Sequence, residues 1–241
     1  MSNNVAISII VPLYNQGIYL GKCVQTVLSQ TFKDYSVIII DDCSTDGSGD
    51  VADKIAATDD RISVIHHAKN MGLSAARNTG IRAANSEYIL PLDADDGIAV
   101  NMLERCYNMI EDGMGDIIYT DYQEFEESHN HVIMPEYCYD NLKHFNHMVC
   151  CSLYRKADWE EVGGYDETMR GGYEDWFFYL KMGAAGHYGY RIAEPLFAYR
   201  IKKNSMITEA RKHHEELLKQ MVTLRPDIWK GNKMPKEALC S

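Results

Sequence analysis

Three clusters of polar side chains in this 241-residue chain could do chemistry, and two of them are built on carboxylates. Pro12-Leu-Tyr14-Asn15, Asp41-Asp42-Cys-Ser44-Thr-Asp46-Gly47-Ser48 and Asp93-Ala-Asp95-Asp96 each follow an apolar run. Carboxylates gathered at one edge of a sheet repel one another unless a cation, a donor-rich ligand or a proton relieves them. A divalent cation shared with a diphosphate gives that relief. Mn2+ or Mg2+ takes one or two protein carboxylates and fills its other positions with phosphate oxygens and water. A single Asp after a strand is ordinarily a helix cap or turn residue, and Asp46 before Gly47-Ser48 fits that description. One cap needs one carboxylate, whereas residues 93–96 supply three.

The runs before these clusters set the architecture. Val5–Val11, Ser36–Ile40, Ile62–His66 and Glu87–Leu92 read as strands, separated by helical patterns over Leu20–Leu28, Asp50–Ala57 and Leu73–Ala84. The strands are apolar without alternation, which favours a parallel sheet covered by helices on both faces. In such a sheet the ligand crevice lies at the carboxyl ends of the strands, where all three clusters fall. Beyond Asp93 the spacing predicts a helix over Val100–Asp112 and strands at Asp116–Tyr119, Val149–Tyr154, His187–Ile192 and Leu196–Tyr199. It also predicts a helix opening near Glu174 and an amphipathic helix over Thr208–Leu224, while Gln123–His147 has no clear period and reads as a long connection.

Composition excludes several classes. With 46% apolar and 24% charged residues the chain can bury a core, so disorder and collagen-like repeats are out. The formal charge of −11 weighs against nucleic-acid partners. No run approaches the length of a membrane span, and Val5–Leu13 has no positive segment before it, so the expectation is a cytoplasmic protein without a signal peptide. The seven cysteines are scattered and never spaced C-x-x-C, which fits free thiols. His129, His131, His144, His147 and the Cys150-Cys151 pair do not assemble into a zinc spacing. His147 precedes a strand and is a candidate to face an acceptor.

The motifs in register resemble family 2 glycosyltransferases of the GT-A fold. They run from Ile7-Ser-Ile-Ile-Val-Pro12-Leu-Tyr14-Asn15 and Ile38-Ile-Ile-Asp41-Asp42 through Asn70-Met-Gly72-Leu-Ser74-Ala-Ala-Arg77-Asn78-Thr-Gly80 to Asp93-Ala-Asp95-Asp96. Val162-Gly163-Gly164-Tyr165-Asp166-Glu167, Gly172-Tyr173-Glu174-Asp175-Trp176 and Pro195-Leu-Phe-Ala-Tyr199-Arg200 continue the likeness to about residue 205. The resemblance implies a Rossmann-like, mainly parallel sheet flanked by helices. Residues 1–97 would be the nucleotide-sugar half, 98–205 the acceptor half and 206–241 a basic C-terminal helix and tail. It also implies sugar transfer from a nucleotide diphosphate sugar, of the UDP class, to an acceptor hydroxyl of a glycan or lipid-linked chain, with inversion.

Residue by residue, the resemblance places Pro12, Tyr14, Asn15, Asp41, Asp42, Asn70 and Arg77 at the nucleotide. Asp42 would accept from a uracil N–H, with Asp41 supporting it. Asp93 and Asp95 form the D-x-D pair, Asp95 the metal ligand and Asp93 nearer the ribose, and the implied ion is Mn2+ or Mg2+. Glu174-Asp175 matches the family's Glu-Asp motif, with Asp175 as base; carboxylates beside Tyr173, Trp176 and Phe177 would titrate high. Trp176 and Phe177 read equally as core or as sugar contacts.

One position departs from the pattern. Many members carry His two residues after the Tyr-Arg pair, whereas this chain has Lys202. A protonated lysine cannot ligate a metal but can pair with phosphate. Two arrangements stay open: a metal held by Asp95, diphosphate and water, or leaving-group neutralisation shared with Lys202. Competing classes are a nucleotidyltransferase, disfavoured because Pro-Leu-Tyr-Asn stands where a Gly-rich phosphate loop would follow the first strand, and a catalytically silent nucleotide-sugar-binding module.

Charge is unevenly spread. From Leu196 onward ten Lys/Arg face five Asp/Glu, against fourteen and thirty before it. The basic C-terminus is therefore expected near a diphosphate or, peripherally, at an anionic membrane surface.

Overall fold

The structure, a computed structural model, describes residues 5–203 and 206–230. Its centre is a sheet of nine strands. Four of them, β1 (Val5–Leu13), β2 (Tyr35–Asp41), β3 (Ile62–His66) and β4 (Ser86–Pro91), lie parallel in the order β3-β2-β1-β4. Ile7, Ile9, Ile10 and Val11 of β1 and Val37–Ile40 of β2 are buried on both faces, as their unbroken apolar runs require. Helices α1 (Gly17–Leu28), α2 (Ser48–Ala56) and α3 (Leu73–Ala83) are the crossovers. Helix α1 buries Leu20, Cys23, Val24 and Val27, the spacing of one helical face. Helix α3 approaches the sheet so closely that a Cβ on Gly80 would lie 2.5 Å from Ile40 and 2.7 Å from Ile10.

The second half completes the sheet with mixed pairing. Strand β8 (Leu153–Arg155) runs antiparallel to both β4 and β6 (Ile117–Glu126), while β9 (Gly189–Ile201) is parallel to β6. Two short strands, β5 (Gly97–Ile98) and β7 (His131–Val132), pair with β9 and β6. The helices here are α4 (Met102–Glu111), α5 (Tyr139–Leu142), α6 (Lys156–Glu161), α7 (Glu174–Ala185), α8 (Met206–Lys212) and α9 (His214–Leu224), followed by a 3-10 turn at Pro226–Trp229.

Several expected boundaries move. The strand expected at Asp116–Tyr119 runs on to Glu126, into the stretch read as a connection, because β9 continues beside it. The two strands expected around residue 193 are one: a register shift between Thr120 and Tyr122 absorbs the interruption before Pro195. Only the end of the expected Val149–Tyr154 strand pairs. Its first half is buried as loop, with the Tyr179 hydroxyl donating to Val149 O at 2.8 Å, and that burial accounts for its apolar character. The last helix breaks into α8 and α9 at His213.

The basic C-terminus is partly neutralised where it is described. Arg200 pairs with Glu126, Lys202 with Asp95, Lys212 with Glu209 and Arg225 with Asp227. Ala210, Leu217, Leu218 and Met221 join the core. The basic residues Lys233 and Lys236 lie outside the described residues. Among the described residues no helix is long and apolar enough to cross a membrane.

Candidate active site

A cleft of about 340 Å³ opens at the carboxyl ends of β1, β2 and β4. Pro12, Leu13 and Tyr14 line it from the end of β1, Asp42 from beyond β2, and Asp93, Asp95 and Asp96 from beyond β4. Asn70, Gly72, Leu73 and Ala76 bring the first turn of α3 to its wall, where free helix N–H groups favour an anion. Tyr199, Arg200 and Lys202 from the end of β9 and Met206 and Ile207 from α8 close the other side.

Sequence reasoning missed Gln16, Leu73, Ala76, Met206 and Ile207, whose side-chain types carry no chemical signal. Their position comes only from the fold.

Of the residues expected at a nucleotide, Pro12, Tyr14, Asp42, Asn70, Asp93 and Lys202 line the cleft. Asn15, Asp41 and Arg77 hold its walls from behind. Asn15, in the left-handed region at φ 53°, accepts the Thr45 N–H at 2.8 Å and so ties the first loop to the second. Asp41 accepts from Ser44 N–H at 3.0 Å and bonds His66 Nδ1 at 3.0 Å. Burial pushes its pKa up, but the hydrogen bonds from Ser44 and His66 outweigh that and leave it below the ordinary value. Asp42 is engaged as well: its carboxylate takes the Met71 and Gly72 N–H groups at 2.7 and 2.8 Å and bonds His67 Nδ1 at 2.7 Å. It both faces the cleft and fixes the loop entering α3.

Arg77 has the largest reassignment. The expected cation near the nucleotide is 1% exposed and bridges two acids, donating to Asp93 Oδ1 at 2.8 Å and Glu174 Oε1 at 2.7 Å. Burial opposes its charge, but Asp93 and Glu174 together hold it firmly protonated. Gly72 at φ 93° caps α3, which positions Arg77 one turn in, and Asn78 beside it binds Tyr165 and Glu167 across the two halves.

Glu174 and Asp175 open α7 behind Tyr173, whose φ of 61° puts a bulky residue in the left-handed region. Such a conformation costs on the order of 1 kcal/mol or more and is held by its surroundings. Asp175 accepts the Trp176 N–H at 2.7 Å and an Asn146 N–H at 3.3 Å. Burial and the neighbouring Glu174 carboxylate raise its pKa to about 7, against the pull of Arg77. The residue as a whole keeps some solvent contact. Trp176 and Phe177 are buried in the core, and so is His147, 1% exposed with Nε2 accepting the Cys138 N–H. The candidate acceptor-facing role for His147 is thereby withdrawn.

The acidic segment can hold a cation. Asp95 is paired with the Lys202 ammonium. Asp96 is buried, accepts the Arg200 N–H at 2.8 Å, and keeps its second oxygen without a hydrogen-bond partner among the described residues. Burial and the charges of Asp95 and Asp93 push its pKa well up. Donor atoms of Asp93, Asp96 and Cys150 lie within 4.8 Å of one another. The unpartnered Asp96 oxygen with the Asp93 carboxylate beside it fits a divalent ion, while Asp95, outside this group, is engaged by Lys202.

Comparison with known proteins gives the family and the fold. The model of glycosyl transferase family 2 matches residues 8–178. The chain belongs to that family. Glycosyltransferase GlyG of Streptococcus pneumoniae is 36% identical over 140 residues, 56% of this chain and 46% of GlyG, so the chain spans under half of that relative. Among solved structures, this family 2 domain superposes on S. aureus TarS 1–349 in complex with UDP-GlcNAc with a TM-score of 0.76. The identity there is 18%, over 97% of this chain and 69% of that one. The mannosyltransferase PcManGT of Pyrobaculum calidifontis, in complex with GDP-Man and Mn2+, gives 0.72 at 17% identity, over 97% and 67%. These likenesses establish the GT-A fold for the chain.

Proposed function

We propose that this family 2 domain transfers a sugar from a nucleotide diphosphate sugar, of the UDP class, to an acceptor hydroxyl with inversion at the anomeric carbon. The observation that carries the reading is Arg77, which ties Asp93 on the cleft wall to Glu174, the neighbour of a carboxyl whose pKa is about 7. A donor-binding wall and a candidate base are thus held by one buried side chain. TarS with UDP-GlcNAc and PcManGT with GDP-Man support a nucleotide sugar as donor.

In this reading Pro12 and Tyr14 border the base and Asn70 and Asp42 the nucleoside. The first turn of α3 and Lys202 face the diphosphate. Asp175, deprotonated, takes the acceptor proton as the acceptor oxygen bonds to the anomeric carbon. The bond from that carbon to the phosphate oxygen breaks, and its electron pair leaves with the diphosphate. Glu174 keeps Arg77 fixed and helps hold Asp175 at a pKa matched to neutral pH. A Mn2+ or Mg2+ ion at Asp95 and Asp93 would supply charge neutralisation to the leaving group.

Bacterial glycan or polysaccharide synthesis is the process in which we place the reaction, the acceptor being a glycan or lipid-linked chain. A thermal-shift screen of UDP-, GDP- and dTDP-sugars with and without Mn2+ tests it, since a bound donor raises the melting temperature by mass action. A UDP-sugar that raises the midpoint supports the proposal. No shift with any nucleotide sugar overturns it.

A further inference from the structure

The loop that delivers Glu174 and Asp175 is held by the C-terminal helices. A Cβ on Gly172 would lie 2.7 Å from the Ala210 Cβ of α8, and one on Gly171 would lie 3.1 Å from Leu217 of α9. The backbone of the loop therefore packs directly on both helices. The next residue, Tyr173, is left-handed, and its hydroxyl shares a 2.9 Å hydrogen bond with Nδ1 of His214, the first residue of α9. The His214 ring also stacks on Trp176, interplanar 21° with centroids 6.4 Å apart, and Trp176 donates to Leu142 O at 2.6 Å. Glu174 and Asp175 lie between Tyr173 and Trp176, so His214 contacts the two residues that flank the acidic pair. From the same helix pair, Met206 and Ile207 reach the donor cleft.

We infer that helices α8 and α9 are a working part of the active site, with His214 the positioning residue that sets, through Tyr173 and Trp176, where the Asp175 carboxylate points. The inference rests on the reading of Asp175 as the base. A left-handed non-glycine residue is costly and is held by its surroundings; the Phe177 N–H of its own helix donates to Tyr173 O at 2.9 Å, which fixes the carbonyl side alone, and a further anchor comes from outside. The Tyr173 hydroxyl and the Ala210 contact supply it. A positioning error at the base lowers turnover without weakening the donor site, to which α9, the helix of His214, gives no lining residue.

The test uses the whole chain with UDP-glucose, UDP-galactose, UDP-N-acetylglucosamine and GDP-mannose, water as acceptor, and nucleotide release as the signal. His214→Ala and Tyr173→Phe are expected to lower kcat about tenfold with donor KM unchanged. His214→Asn, whose amide can stand where Nδ1 does, is expected to keep most of the rate. Amide exchange over residues 171–176, read without turnover, is expected to rise about tenfold in His214→Ala and stay unchanged in His214→Asn. The single hydroxyl removed by Tyr173→Phe keeps the test open should His214→Ala fold poorly. Unchanged kcat, a loss confined to KM, equal losses in the Ala and Asn variants, or equal exchange in all three overturns the positioning role. Asp175→Asn separates the two readings: if it abolishes release while the His214 variants do not, only the positioning role falls. If it leaves release intact, the base assignment falls as well.

Discussion

Asp175 gives the candidate site its pH dependence. Its pKa of about 7 lies far above the ordinary 3.8, so as an acid it is protonated more readily in the folded chain than in the unfolded one. Folding therefore gains from its protonated form at low pH, and that gain is lost as pH climbs between about 4 and about 7, with a slope of at most about 1.4 kcal/mol per pH unit. Under the proposed role of Asp175 turnover runs the opposite way, because a base must be ionised. The rate is expected to rise through pH 7, while Asp175→Asn removes both the rate and that part of the stability slope; urea denaturation and initial rates at pH 5 and pH 8 measure them. Lys202 makes a second residue-scale prediction. Its ammonium occupies Asp95, so Lys202→Ala is expected to tighten Mn2+ binding about tenfold by electron paramagnetic resonance, as removal of a competing cation should. Unchanged affinity would place the ion elsewhere. The acids of this site were legible in the sequence because three of them share four positions. The role of Arg77 was not, since its partners are 16 and 97 residues away.

At the scale of elements, helix α3 decides how the site is held. It carries Arg77 and Asn78 on the face turned from solvent, and it can do so because Gly80 lets it settle against Ile40 and Ile10. Gly80→Ala is expected to lift the helix and cost about 1–3 kcal/mol, as overpacking a core contact does. Chemical denaturation gives the cost, and donor affinity should fall with it. The parallel strands and their crossovers stood out in the sequence because burial on both faces leaves unbroken apolar runs. The bounds of strand β8 and the continuity of β9 did not. The first strand is short and preceded by a buried loop that looks the same in composition, and the second is interrupted at a bulge that only its partner β6 reveals. The division of α8 from α9 was invisible because the amphipathic period passes through His213 without a break.

The whole molecule joins the two expected halves through one continuous sheet. Asn78 fastens them further. It donates to Tyr165 O and Glu167 and accepts from Tyr165 N–H and the Trp159 indole, all while 3% exposed. Residues 1–97 and 98–205 are therefore expected to melt as one cooperative unit, with calorimetric and van't Hoff enthalpies equal. Asn78→Ala should lower stability by about 2–4 kcal/mol by stranding several buried partners. Two separate transitions would show that the halves fold apart.

The carboxylates that crowd this cleft suggest a surface hostile to any anion, yet the pairings seen there balance most of that charge in advance. Asp93 and Glu174 share Arg77, Asp95 holds Lys202, and burial draws Asp96 and Asp175 toward their neutral forms. Three of these acids are thus paired with two fixed cations. A diphosphate approaching this end of the sheet would meet less free negative charge than the number of carboxylates implies. The molecule can remain acidic over most of its surface and still admit a polyanion at that one mouth.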